Sequence, residues 1–374
     1  MTKHNAANER IKRDYFRYLA DAKGRDPATI DGVAKALARF EESTKAKDFK
    51  KFHREQAMAF KVRMAAATSL RTGERLSKAT VHSTMRELKA FFFWLAHLPG
   101  FKSHIAYHDA DYFSLSDKDV AVARARREKT VPTLGQVQHV LSVMPATTPM
   151  QRRDRALIAF TLLTAARVGA LASFQLGHVD MAGGFVDQDA RTVQTKFAKT
   201  FRTYFMDLGG DALGIVRDWV DELALKHLWG PGDPLFPSTE MGLNEAGNFA
   251  AKGLLRGGWS TTGPVREIFQ RAFTAAGLPY FNPHSFRDML VRYAMTLNLS
   301  PEGMKAWSQN LGHAEVLTTF TSYGVVQAHR QGELIRAMAT ASGDPAPAPD
   351  DTALLAALTA RLLAGSSAAV TRTA

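Results

Sequence analysis

Cysteine is absent from all 374 residues. That excludes disulfides, thiol nucleophiles and cysteine-ligated zinc, and it fits a reducing compartment such as the cytoplasm. Long apolar runs are missing too. The greasiest stretches, AFFFWLA at 90–96 and ALIAFTLLTAA at 156–166, fall far short of the roughly 20 residues a membrane span needs. The opening MTKHNAANERIKRDYF carries no apolar signal-peptide core, so a soluble protein with no membrane partner is expected. Negative charge is scarce: 36 Asp and Glu stand against 48 Lys and Arg, a net +12. Such a chain seeks a polyanion, nucleic acid first. Residues 1–130 hold 27 basic and 16 acidic side chains, so the main electrostatic grip belongs to the first third.

What is present is mostly helical periodicity. In DPATIDGVAKALARFEEST, Asp26 reads as an N-cap, Pro27 as the first helical residue, and Ile30, Val33, Ala34 and Leu37 share a face. Helices near 54–67 and 77–97 follow. The second of these starts at Ser77 with Val81, Met85, Leu88, Phe92 and Leu95 in one stripe. Residues 1–115 thus form a helical domain of four or five helices. Periodicity lapses over 116–131, where four basic residues gather between Arg124 and Lys129, as in a solvated or DNA-following linker. Helices resume at Thr133 and run to about 175. A segment from Gly183 to Gly210, rich in β-branched and aromatic residues, then reads as a small antiparallel sheet of two or three strands. From about 211 the chain is helical again, with starts at Asn282-Pro283 and Ser300-Pro301. The fold class is mainly α with a small antiparallel β-sheet, arranged as two domains. SGDPAPAPDD then makes a Pro-rich tether to an amphipathic helix at about 352–363, and 341–374 is set apart on that ground.

Four clusters carry chemistry. NPHSFRD places His284 and Arg287 three apart at the start of a capped helix, where the helix dipole adds to the guanidinium and an anion is the natural ligand. SQNLGHAEVLTTFTSYG closes a helix at Leu-Gly-His and sets Tyr323 ten residues after His313. LLTAARVGALASFQLGHVD interrupts an apolar region with Arg167, which needs a counter-charge or an anionic ligand. TVQTKFAKTFRTYFMDL places Lys196 and Lys199 at or near a strand-to-strand turn. Each has a bland account: a capped helix, a structural ion pair, a soluble hairpin edge.

The order of these clusters, Thr-x-x-Arg-x-x-x-Leu, hairpin lysine, His-x-x-Arg, Leu-Gly-His and tyrosine, resembles the tyrosine recombinase (phage integrase) family over about 164–325. The resemblance implies a two-domain DNA clamp, with a core-DNA-binding domain at 1–115 and a catalytic domain at 132–340. It implies Arg167 and Arg287 as a phosphate clamp, Tyr323 as nucleophile, Lys196 as general acid with Lys199 as the alternative, and His284 and His313 assisting. It further implies double-stranded DNA with a short inverted-repeat core site as partner. A homotetramer on two sites would exchange strands through a Holliday junction, in a bacterial or phage nucleoid setting. Three departures stand out: KFAKT is one residue longer than the commonest family hairpin, the His313-to-Tyr323 spacing is one longer than usual, and Ala170 replaces a frequent carboxylate.

The chemistry is consistent with those roles. Two guanidinium groups on the non-bridging oxygens favour the more highly charged pentacoordinate transition state. A lysine can protonate the leaving 5′-oxygen, and a covalent 3′-phosphotyrosine conserves the bond energy, so neither metal, ATP nor any cofactor is required. A metal-dependent nuclease would want clustered carboxylates, whereas Asp288, Glu302 and Glu315 are scattered. A type IB topoisomerase would use similar residues without a defined site. A DNA-binding regulator on the same fold would not need the tyrosine.

Overall fold

The computed structural model describes residues 4–69, 72–125, 130–243, 247–313 and 331–333. The chain divides into two compact units, Met1–Arg127 and Glu128–Ala374. It is mainly helical with small antiparallel sheets, as the sequence pattern indicates.

The first unit contains α1 (Ala6–Arg17), α2 (Pro27–Thr44), α3 (Arg54–Ala66), α4 (Lys78–Ala96) and α5 (Asp117–Arg124). Asp26 caps α2 by accepting from the Thr29 N–H at 2.8 Å, and Ser77 caps α4 by accepting from Thr80. The stripe Val81, Met85, Leu88, Phe92 and Leu95 is buried as the spacing indicates. The core is an aromatic cluster: the Phe40 ring meets those of Phe60, Phe92 and Phe113 edge to face, the Phe92 contact at 5.2 Å between centroids. Such pairs add about 0.5–1.5 kcal/mol each beyond burial. Three consecutive phenylalanines cannot share one helix face, so Phe91 and Phe92 are buried while Phe93 is exposed. The first half of the basic stretch expected as linker is helical. Ser116 caps α5, and Asp119 pairs with Lys78 of α4 at 2.8 Å.

The second unit begins with α6 (Leu134–Val143), capped by Thr133, then α7 (Pro149–Thr164) and α8 (Val168–Ser173). ALIAFTLLT is apolar all round, so α7 is buried on every side from Ala156 onward and forms the axis of the core. A three-stranded antiparallel sheet follows in the order β1 (Val179–Asp180), β2 (Phe185–Gln188), β3 (Phe201–Tyr204), with Phe185 opposite Tyr204 and Gln188 opposite Phe201. Next come α9 (Ala212–Asp221), a hairpin of β4 (Ser238–Leu243) and β5 (Phe249–Leu255), then α10 (Gly263–Ala275), α11 (Pro283–Ala294) and α12 (Pro301–Asn310).

The β4–β5 hairpin corrects the expectation of unbroken helix after 211. Its strands are rich in Gly and Ala and shift register between Glu240 and Met241, which erases the period-two signal. Arg153 of α7 ties it down, donating to the carbonyl of Pro237 and the hydroxyl of Thr239.

Candidate active site

Helix α7 ends in a turn that puts Ala165 in the left-handed region (φ 51°), unusual for a residue with a Cβ. The Thr164 hydroxyl steadies that turn by accepting from the Ala166 N–H. Two consequences follow. Arg167 becomes the extended residue that opens α8, and the Ala165 carbonyl turns toward α11.

There it accepts a 3.2 Å hydrogen bond from Arg287, whose guanidinium also donates to the carbonyl of Leu311 at the end of α12. Arg287 is 5% exposed and held on two backbone oxygens contributed by two other helix ends. Asn282 caps its helix as expected, accepting from the His284 and Ser285 N–H groups. His284, on the exposed first turn, lies 4.0 Å from Asp288.

The Leu-Gly-His turn is fixed from two sides. Gly312 has φ +66°, and a Cβ there would lie 2.4 Å from the Phe201 ring, so both conformation and space demand glycine. Asn310 meanwhile docks the end of α12 on β3: its side chain accepts from the Tyr204 N–H at 2.7 Å and donates to the Tyr204 carbonyl at 2.9 Å. His313 thereby sits beside the sheet whose β2–β3 connection carries both lysines.

The electrostatics show what converges. Burial, then repulsion from Arg167, lowers Arg287 to about 9 against the opposing pull of Asp288. Burial first, and then the charges of Arg287, Arg167, Lys199 and His284, push His313 down to about 4. Arg167 is lowered by burial, and among the described residues it makes no ion pair. Among the described residues no counter-charge faces it, and Ala170, in place of the family's frequent carboxylate, is buried in the core. A half-buried arginine, a buried arginine, a lysine and two imidazoles therefore share one electropositive site, as an anion-binding centre requires.

Of the two candidate lysines, Lys199 is the one brought into this field. Lys196 opens a short helical turn that reverses through positive φ at Phe197 and Ala198, and its ammonium lies over the Phe197 ring at 4.8 Å. Neither lysine sits in a tight hairpin, because the connection spans 189–200, well beyond KFAKT. Tyr323 lies outside the described residues, as do 314–330 and the C-terminal tether and helix. Among the described residues no group of His, Asp and Glu is arranged to hold a metal ion, and no helix is long and apolar enough to cross a membrane.

Sequence reasoning did not foresee the supporting contacts, Gly312 on Phe201 and Asn310 on Tyr204. The asparagine immediately before the Leu-Gly turn was the available signal.

No family model matches the chain. Among curated proteins it is 22% identical over 316 residues to the tyrosine recombinase XerC of Xylella fastidiosa strain 9a5c, spanning 83% of this chain and 90% of that one. Among solved structures it superposes on a lambda integrase dimer bound to a COC′ core site with TM-score 0.57 and 15% identity, covering 84% of this chain and 94% of that one. The chain has the tyrosine recombinase fold. A lambda integrase tetramer bound to a Holliday junction gives TM-score 0.52 at 15% identity, covering 87% of this chain and 84% of that one. The resemblance to that family is thus borne out by relatives and fold together.

Proposed function

We propose that this chain is a site-specific DNA recombinase that breaks and rejoins strands through a covalent 3′-phosphotyrosine intermediate. One observation carries the reading: the charges of Arg167, Arg287, Lys199 and His284 all bear on His313, and no carboxylate pairs with Arg167 among the described residues. A phosphodiester supplies the missing charge.

In this scheme Arg167 and Arg287 hold the non-bridging oxygens and gain strength as negative charge grows in the transition state. The Tyr323 oxygen attacks phosphorus, the bond to the 5′-oxygen breaks, and Lys199 delivers a proton to that leaving oxygen. His313, neutral at pH 7, can present either an acceptor or a donor, and His284 helps to remove the phenol proton. Attack by a 5′-hydroxyl reverses the sequence and frees the tyrosine, so rejoining needs no ATP. We assign Met1–Arg127, with its basic excess, as the core-DNA-binding half of a clamp, and Glu128 onward as the catalytic half. The assembly would be a homotetramer on two inverted-repeat sites, exchanging strands through a Holliday junction, in the cytoplasm.

The test is covalent capture. The full chain is incubated with a pool of randomised nicked duplexes, denatured, and the DNA that stays attached is sequenced. A recombinase enriches one short inverted repeat, and Tyr323→Phe attaches none. Enrichment of no sequence despite attachment would favour a topoisomerase. Attachment by Tyr323→Phe would overturn the nucleophile.

A further inference from the structure

The connection from β2 to β3 has an anchored base and a projecting tip. Val193 is buried in the core, and the Gln194 N–H donates to the Ser173 hydroxyl of α8 at 2.8 Å. A Cβ on Gly169 would stand 3.2 Å from the Gln194 carbonyl, so α8 and this strand of loop touch backbone to backbone. Beyond Thr195 the chain turns through positive φ, and Phe197 is 79% exposed. One further contact holds the base. His178, on the turn after α8, accepts the Gln175 N–H on Nδ1 at 2.9 Å, which leaves the proton on Nε2, 2.9 Å from the Thr192 hydroxyl. A neutral imidazole suits this task because it is rigid and presents an acceptor and a donor on opposite sides. Burial, outweighing Asp189 and Asp187, favours that neutral form.

We propose that His178 is a positioning residue: with Thr192, Ser173 and Gly169 it latches the base of the lysine-bearing connection onto the helix that begins at Arg167, so that guanidinium and ammonium reach one phosphate as a unit. This rests on the phosphodiester-cleaving reading of the site. Arg167 opens α8, and Gly169 and Ser173 of the same helix hold Gln194, five residues before Lys199. Loss of the His178–Thr192 bond frees the loop from the turn after α8 while leaving both cations in the sequence. The step that suffers is protonation of the leaving oxygen, since misplacing a catalytic group by about 1 Å can cost roughly a hundredfold.

The measurement compares two versions of the captured duplex, one with oxygen and one with sulfur at the 5′-bridging position. A thiolate leaves without a proton, so the sulfur substrate does not need the lysine. His178→Asn keeps an acceptor for Gln175 but loses Thr192, and Thr192→Val removes the hydroxyl isosterically. Both should cleave the oxygen substrate roughly tenfold to a hundredfold more slowly and the sulfur substrate at the wild-type rate, with Thr192→Ser restoring the oxygen rate. Amide hydrogen exchange across 192–200 should quicken in His178→Asn. Equal slowing on both substrates, or an unchanged oxygen rate, overturns the latch. If the wild-type chain attaches to no DNA, the functional reading fails, and the exchange measurement still judges the latch: unchanged protection of 192–200 removes it.

Discussion

Arg287 donates 3.2 Å to the carbonyl of Ala165, a residue 122 positions earlier in the chain and held in the left-handed region. This bond joins the helix that carries Arg287 to the turn that presents Arg167. It also leaves the Arg287 guanidinium repelled by Arg167 and, among the described residues, only partly offset by Asp288. The fold accepts unfavourable electrostatics here, as expected where binding rather than stability is served.

Arg287→Gln tests that trade. Glutamine keeps a donor for a backbone carbonyl and deletes a buried charge that Arg167 repels. Covalent attachment to DNA should fall by roughly a hundredfold or more, the loss typical of one transition-state donor. The melting temperature should match or exceed that of the wild type. A lower melting temperature would mean that the guanidinium stabilises the fold.

Lys199 should matter more than Lys196. Lys199→Ala is expected to slow cleavage by about a hundredfold or more, within the range general acids supply. Lys196→Ala, which loses a lysine resting on an exposed phenylalanine, should stay near the wild-type rate. Single-turnover attachment to an oxygen substrate decides between them, and the opposite ranking would return the role to Lys196.

Much of the architecture was legible because it is written locally. Asp26, Ser77, Asn282 and Ser300 each cap the helix they precede, and a cap needs only its next few residues. The order of cationic clusters was equally readable. The β4–β5 hairpin was not, since its strands owe their pairing to a bulge and to Arg153 rather than to alternation. The placement of the two lysines was hidden for a related reason: it depends on the positive φ of Phe197 and Ala198, and neither residue type announces it.

His313 should titrate near pH 4, and an anion should move it. Burial and neighbouring cations disfavour the imidazolium, so the folded state binds fewer protons than the unfolded state between pH 6.5 and about 4. Stability contributed by this group is therefore undiminished above pH 6.5 and declines as pH falls through that window. Sulfate or vanadate bound between the arginines should raise the titration midpoint by offsetting their charge. Proton NMR of the imidazole measures both effects, and a midpoint near 6.5 without anion would remove the clustered-cation account.

Gly312 carries two constraints, and a double-mutant cycle separates them. Gly312→Ala meets a left-handed backbone and a phenylalanine ring 2.4 Å from its new methyl group, and should lose at least about 2 kcal/mol of stability. In a Phe201→Ala background the ring is gone and only the conformational cost, about 1 kcal/mol, remains. The second substitution should therefore be cheaper than the first by more than the uncertainty of additivity, about 0.5 kcal/mol. Equal costs would show that the ring yields freely and that φ alone selects glycine. A large coupling would instead mean that β3 and the turn before His313 move as one body, so that Phe201→Ala alone should already reduce cleavage without touching any charged group.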